Sequence, residues 1–193
     1  MSKLKYIDES FLVSYLYKSF FSFFMDKLFK NIPIFPLSGA LLLPFGNLPL
    51  NIFEPRYISM VNYALTKDKL IGMVQPKEKG SNNLYLTGCV GKITSFSETE
   101  DNRYLINLNG LSKFTILNEL NSVFEFRVFN VKYYSPKKNF NKFEKKLFNK
   151  KLFIEKINLY FENIGFSADW ESLNKIEDKS LIIIVSMICP FNS

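Results

Sequence analysis

The residue types of this chain set the first limits on its chemistry. Its 193 residues include no histidine. That removes the imidazole general base, the Ser-His-Asp and Cys-His constellations, and every histidine-ligated metal site. Cys89 and Cys189 stand a hundred residues apart, with no Cys-x-x-Cys spacing, and are expected as reduced thiols of a cytoplasmic protein. The phosphate loop G-x-x-x-x-G-K-[ST], the dinucleotide fingerprint G-x-G-x-x-G and the nucleophile elbow G-x-S-x-G are all absent. A Ser-Lys nucleophilic pair stays open by composition, but nothing singles one out. The carboxylates Glu98, Glu100 and Asp101 are better read as a solvated hairpin tip than as an acid/base pair. No cofactor, metal or small-molecule substrate is implied, and an enzymatic role is the least supported.

Two constellations remain. The first is Glu54-Pro55-Arg56-Tyr57. Proline is favoured at the first helical position because its missing N–H would be unsatisfied there anyway. A glutamate just before it suits the positive end of the helix dipole. Arg56 is expected to pair with Glu54 or a nearby acid, and Tyr57 to be core, so a structural role stands beside a polypeptide-binding one. The second is a lysine-rich stretch. The chain carries 25 basic and 18 acidic residues, a net +7, and only Arg56, Arg103 and Arg127 are arginines. Residues 132–156 hold nine lysines, among them Lys145, Lys146, Lys150 and Lys151, against Glu144 and Glu155. That is the whole excess. It is either a patch for nucleic acid or another anionic surface, or a solvated helix face. The scarcity of arginine argues against base-edge readout.

The elements that must position these residues fall into three regions. Residues 1–31 form an extension whose stretch 11–24 (FLVSYLYKSFFSFF) is too short to span a bilayer and lacks a signal-peptide layout. Leu12, Leu16, Phe20, Phe23 and Phe24 fall at helical spacing, so it reads as an amphipathic helix. Residues 32–135 read mostly as strands. Pro33 and Pro36 mark residues 32–37 as a sheet edge or a strand with one free side. A second apolar run covers 48–53, and a helix from Pro55 carries Tyr57, Met60, Val61 and Ala64 on one face. Strands follow at 70–74, within 84–96 (Gly88 and Gly91 as bulge or close-approach sites), at 103–108, from Phe114, and over 124–134 with a register shift near Asn130. Asn109-Gly110 reads as a turn. Phe35, Phe53 and Phe96 are expected in the core. Residues 136–193 read as helices: a long one from Phe140 to Gly165, one capped by Ser167 with Trp170 or Glu171 in its first turn, and a buried helix or strand over 181–189. At this length a chain buries roughly 70% of its unfolded surface without staples, as one domain or two small ones sharing a core.

The run IPIFPLSGALLLPFGNLPLNIFEPRYISMVNYAL at 32–65 is the most distinctive feature. LIGMVQP (70–76), LTGCVGKITSF (86–96), RYLINLNGLSKF (103–114), FRVFNVKYY (126–134) and MICPF (187–191) follow it. Together, and in this order, they resemble the substrate-binding N-terminal domain of the ATP-dependent protease Lon (peptidase S16), most closely stand-alone bacterial proteins with this domain alone. The resemblance is dense over 32–135 and thin over 136–191. It implies an α+β fold: a PUA-like, partly open β-barrel with one early helix, followed by a helical subdomain. It implies binding of polypeptide substrates or a protein partner, not proteolysis, because the ATPase and Ser-Lys protease modules are not in this chain. The family continues past Cys-Pro-Phe with another helix, so the helical subdomain is expected to lack its last member, with the extension packing in its place.

Three functions are therefore weighed. One is a non-catalytic polypeptide-binding module in protein quality control, using a sheet edge or apolar grooves. One is RNA binding through the lysine-rich segment, since PUA-like barrels include RNA binders. One is peripheral membrane contact through residues 6–30.

Overall fold

A computed structural model describes residues 30–134 and 148–189. The expected amphipathic helix, Phe140, Phe143 and Leu147, Lys137, Lys138, Lys142, Lys145 and Lys146, and the chain after Cys189 lie outside them.

Among the described residues, six strands and four helices follow in order: β1 (Asn31–Pro36), β2 (Asn47–Ile52), α1 (Pro55–Leu65), β3 (Leu70–Val74), β4 (Thr87–Glu98), β5 (Tyr104–Leu120), β6 (Arg127–Tyr133), α2 (Lys150–Asn163), α3 (Trp170–Lys175) and α4 (Asp178–Ile188). The strands form one mixed sheet, ordered β2-β5-β4-β3-β1-β6, and β5 also pairs with β6. Only β1 and β3 run parallel. The sheet curls until the second half of β5 meets β6, while β2 borders the first half of β5 and has no further strand beyond it among the described residues. It is not closed as a barrel. No helix among the described residues is long and apolar enough to cross a membrane.

Three apolar clusters result. The first lies between α1 and the sheet and contains Phe35, Met60, Val61, Ile106, Leu108 and Val128. The second contains Ile32, Ile34, Val90, Phe114, Phe129 and Val131. The third joins the C-terminal helices through Phe161, Leu181, Val185 and Cys189. Helix α1 buries Tyr57, Met60, Val61 and Ala64, the four positions that its 3.6-residue period selects. Each large side chain among them contributes roughly 1.5–3 kcal/mol.

Several expectations are corrected. Strand β1 is interior, not an edge. Its two partners are staggered, so Pro33 is in register only with Val128 of β6 and Pro36 only with Val74 of β3. Each proline thus keeps the one free side it requires. Asn109-Gly110 makes no turn, because β5 runs straight through it. Gly110 is there for close approach: a Cβ would lie 2.0 Å from the carbonyl oxygen of Leu43. The segment crossing at that point bonds to Gly110 on both sides, with Phe45 N–H donating to its carbonyl and its own N–H donating to Gly46. A bulge does fall at Val90/Gly91. The change of alternation near Asn130 is a change of cluster: Phe126 and Val128 face the first, Phe129 and Val131 the second. The β5–β6 irregularity lies on the β5 side, between Ile116 and Asn118.

Helix α2 begins at Lys150, where Asn149 accepts from the Leu152 N–H, so no single helix runs from Phe140. It ends at Gly165, whose φ of +71° suits glycine. Asp169, not Ser167, caps α3 by accepting from Ser172 N–H. Residues 181–188 are helical. Phe35 is core, but Phe53 and Phe96 are 64% and 42% exposed.

Candidate functional site

Strand β2 hands the chain to α1 through Phe53 and Glu54. Glu54 has extended backbone (φ −74°, ψ 131°), and Pro55 opens the helix. This geometry sends Tyr57 inward and keeps the Glu54 and Arg56 side chains together at the surface. Tyr57 goes inward, 6% exposed, with its ring centroid 4.3 Å from that of Phe35. Burial raises the pKa of its hydroxyl, against a smaller opposing effect of Arg56. Arg56 stays at the surface, with Nε donating to Glu54 Oε2 at 3.0 Å and its guanidinium 4.5 Å over the Tyr57 ring. Of the expected trio, then, Glu54 and Arg56 form an exposed pair, and Tyr57 anchors the helix start from beneath.

Phe53 and Ile58, on either side of that trio, face the tip of the β4–β5 hairpin. With Asp101, Asn102 and Arg103 they line an open cleft of about 540 Å³. The tip is held by its own contacts. Arg103 Nε donates to Asp101 Oδ2 at 2.6 Å, and Thr99 Oγ1 donates to Asp101 Oδ1. The Arg103 hydrogen bond first, then that from Thr99, holds the Asp101 carboxyl down at about 2. The cleft therefore has an apolar floor and a permanently ionic wall. Phe53, expected in the core, is exposed, while Asp101 lies at an exposed hairpin tip as expected. Phe53 directly follows β2, whose one partner strand among the described residues is β5, and the sequence alone does not show that.

Strand β2 itself is a weak template for adding a further strand, because Pro49 sits in its middle, a device that blunts sheet edges. The cleft, not the edge, is the better binding feature.

The lysine-rich candidate is not assembled as a set. Lys145 and Lys146 lie outside the described residues. Lys150 is half-buried and donates to the Ile176 carbonyl, with Asp178 3.7 Å away, so it ties α2 to the α3–α4 junction. Lys151 is exposed. All three arginines are already engaged: Arg56 with Glu54, Arg103 with Asp101, and Arg127 in a two-pronged pair with Glu119. Among the described residues no three cysteine, aspartate or glutamate side chains gather as a metal ion would need.

The model of the ATP-dependent protease La (LON) substrate-binding domain family matches residues 31–193. The chain is 35% identical over 101 residues to the Lon protease of Parabacteroides distasonis, covering 50% of this chain and 12% of that protein. It is 28% identical over 91 residues to Lon protease 2 of Myxococcus xanthus, covering 45% and 11%. The match thus spans about an eighth of those relatives or less. Among solved structures, the N-terminal domain of a Mycobacterium avium complex Lon protease superposes with a TM-score of 0.57 at 13% identity, covering 85% of each chain. A Lon N-terminal domain protein from Xanthomonas campestris gives 0.50 at 18% identity, covering 79% of this chain and 86% of that one. These likenesses carry the same fold, and the family match over most of the sequence settles membership: the chain belongs to the Lon substrate-binding domain family.

Proposed function

We propose that this chain is a non-catalytic polypeptide-binding module, an adaptor or regulator of protein quality control, that holds exposed apolar segments of client proteins in the Phe53–Ile58 cleft. The observation that carries this is the placement of Phe53. A phenylalanine 64% exposed at the junction of a strand and a helix leaves its ring available to a client. Family membership supports polypeptide as the ligand. Glu54 and Arg56 form an exposed ion pair next to Phe53 in the chain, and Tyr57 fixes the helix start under them.

Affinity from such a site is weak. Burying one or two apolar side chains yields roughly 1.5–3 kcal/mol each, offset by the ordering of an unfolded client. Nucleotide is not expected to be needed, because the ligand is held by apolar contact alone. The test is fluorescence anisotropy with a labelled, reduced and alkylated model protein. Wild type is expected to bind without ATP. Phe53→Asp is expected to weaken binding at least about fivefold, with an unchanged melting temperature because Phe53 is not core. Leu117→Asp, at an exposed position on β5, is the control. Absent binding, or equal binding by Phe53→Asp, overturns the proposal.

A further inference from the structure

Helix α4 is apolar on every side. From Leu181 to Ile188 only Ser186 interrupts the run, and a helix that is apolar all round belongs under cover all round. Residues four apart share one face of a helix, and the rows of α4 have different surroundings. Leu181 and Val185, with Cys189 just after the helix, build the helical cluster. Met187 packs against the first sheet cluster. Ile184 and Ile188 make a third row, and neither joins any of the three clusters among the described residues. Ile188 is 53% exposed.

We propose that residues 11–24 of the same chain cover the Ile184–Ile188 row. The Phe53 cleft plays no part in this contact. Of these fourteen residues ten are apolar or aromatic and one, Lys18, is charged, so together they need an apolar surface to rest on. The other stretches outside the described residues suit the row less. Residues 135–147 carry five lysines, and 190–193 have Phe191 as their one large apolar side chain. The point of entry fits as well. The Lys30 carbonyl accepts from Val131 N–H, and Val131 is in register with Ile116 of β5. Because β1 and β6 are antiparallel, the chain enters Lys30 from the side of Tyr134, whose N–H donates to the Lys113 carbonyl. Further along β5 in that direction is Gly110, which is bonded to Phe45 and Gly46. Met187 of α4 lies beside Gly46. From Ile116 to Gly110 is six residues of strand, about 20 Å, and residues 25–30 reach about 20 Å at full extension.

The experiment follows amide hydrogen exchange in the full chain, in Leu16→Asp/Phe20→Asp, in Ile188→Asp, and in the variant carrying all three changes. Each of the first two variants is expected to lower protection in α4 at least about tenfold and to leave β3, β4 and β5 unchanged. The combined variant is expected to fall no further than the more affected of the two, because both sides of one contact are then already lost. Wild-type protection is expected to hold across about fiftyfold dilution. Unchanged α4 protection in Leu16→Asp/Phe20→Asp overturns the proposal; if wild type then sediments with phosphatidylglycerol vesicles, the segment serves a membrane instead. Effects that add in the combined variant overturn it, because the two sites are then independent. Protection lost on dilution overturns it as well, and makes a second copy the donor of the covering segment.

Discussion

Asp101 shows how a fully exposed side chain can be held in one charge state. Its carboxyl accepts from Arg103 and Thr99, and these bonds favour the ionised form. The titration midpoint of Asp101, followed by carboxyl carbon NMR, is expected near 2, and Arg103→Ala is expected to return it toward the ordinary value of about 3.9. The sign follows from linkage: a depressed carboxylate pKa contributes stability above the unfolded value and loses it as pH falls through the folded one. Any melting-temperature gap between wild type and Arg103→Ala is therefore present at pH 5–7, mostly lost at pH 2 and gone below it. A gap undiminished at pH 2 would assign it to packing instead. Cys89 is the buried counterpart. Burial pushes its thiol up to about 12, and it is 3% exposed. At pH 8 the thiolate, the reactive form, is scarce and shielded. Iodoacetamide is expected to label Cys89 only after denaturation, as read by peptide mass spectrometry; rapid labelling of the native protein would mean the β3–β4 pairing opens readily.

At the scale of elements, close approach decides which glycines matter. A Cβ on Gly110 would meet backbone, the Leu43 carbonyl, at 2.0 Å. A Cβ on Gly46 would meet Met187 Sδ at 2.2 Å, a flexible side chain that can turn aside. Gly110→Ala is expected to cost about 2–4 kcal/mol and Gly46→Ala about 1 kcal/mol or less, measured by urea denaturation at constant m. Equal costs would show that Met187 has no room to move. The same elements show what a sequence can disclose. Helix α1 was legible because its period depends only on which residues are apolar, and β4 because alternation survives a bulge, whereas β5 was legible only as two separate halves. Gly110 was not: glycine beside asparagine serves a turn and a close approach equally, and only the crossing of residues 43–46 tells them apart. Phe53 failed for a related reason. Apolar type states a preference for burial, but whether any neighbour covers the ring depends on β2 having one partner strand. Hence the Glu54-Pro55-Arg56-Tyr57 run was readable as a helix start, while the cleft beside it, closed by a hairpin tip some fifty residues later in sequence, was not.

Across the whole molecule, apolar burial is unequally shared. Among the described residues the two sheet clusters contain fifteen and nine buried residues, while the helical cluster has four. With the smallest cluster of the three, the helices gain most from docking to the sheet. Two contacts provide it: Met187 packs against the first sheet cluster beside Gly46, and Lys179 lies 4.1 Å over the Phe45 ring. The chain's only tryptophan, Trp170, reports this region, since its ring sits 5.6 Å from Phe161 in the helical cluster. Its fluorescence is expected to change at lower urea than the loss of amide protection in β3, β4 and β5. Met187→Ala is expected to move the tryptophan transition lower still, leaving sheet protection within about 0.5 kcal/mol of wild type. Because Phe53, Ile58 and residues 101–103 all belong to the sheet side, peptide binding in the cleft should survive in urea that has already released the helices. Coincident transitions in both proteins would instead make the helices part of one cooperative unit with the sheet, and binding would then fail together with the tryptophan signal.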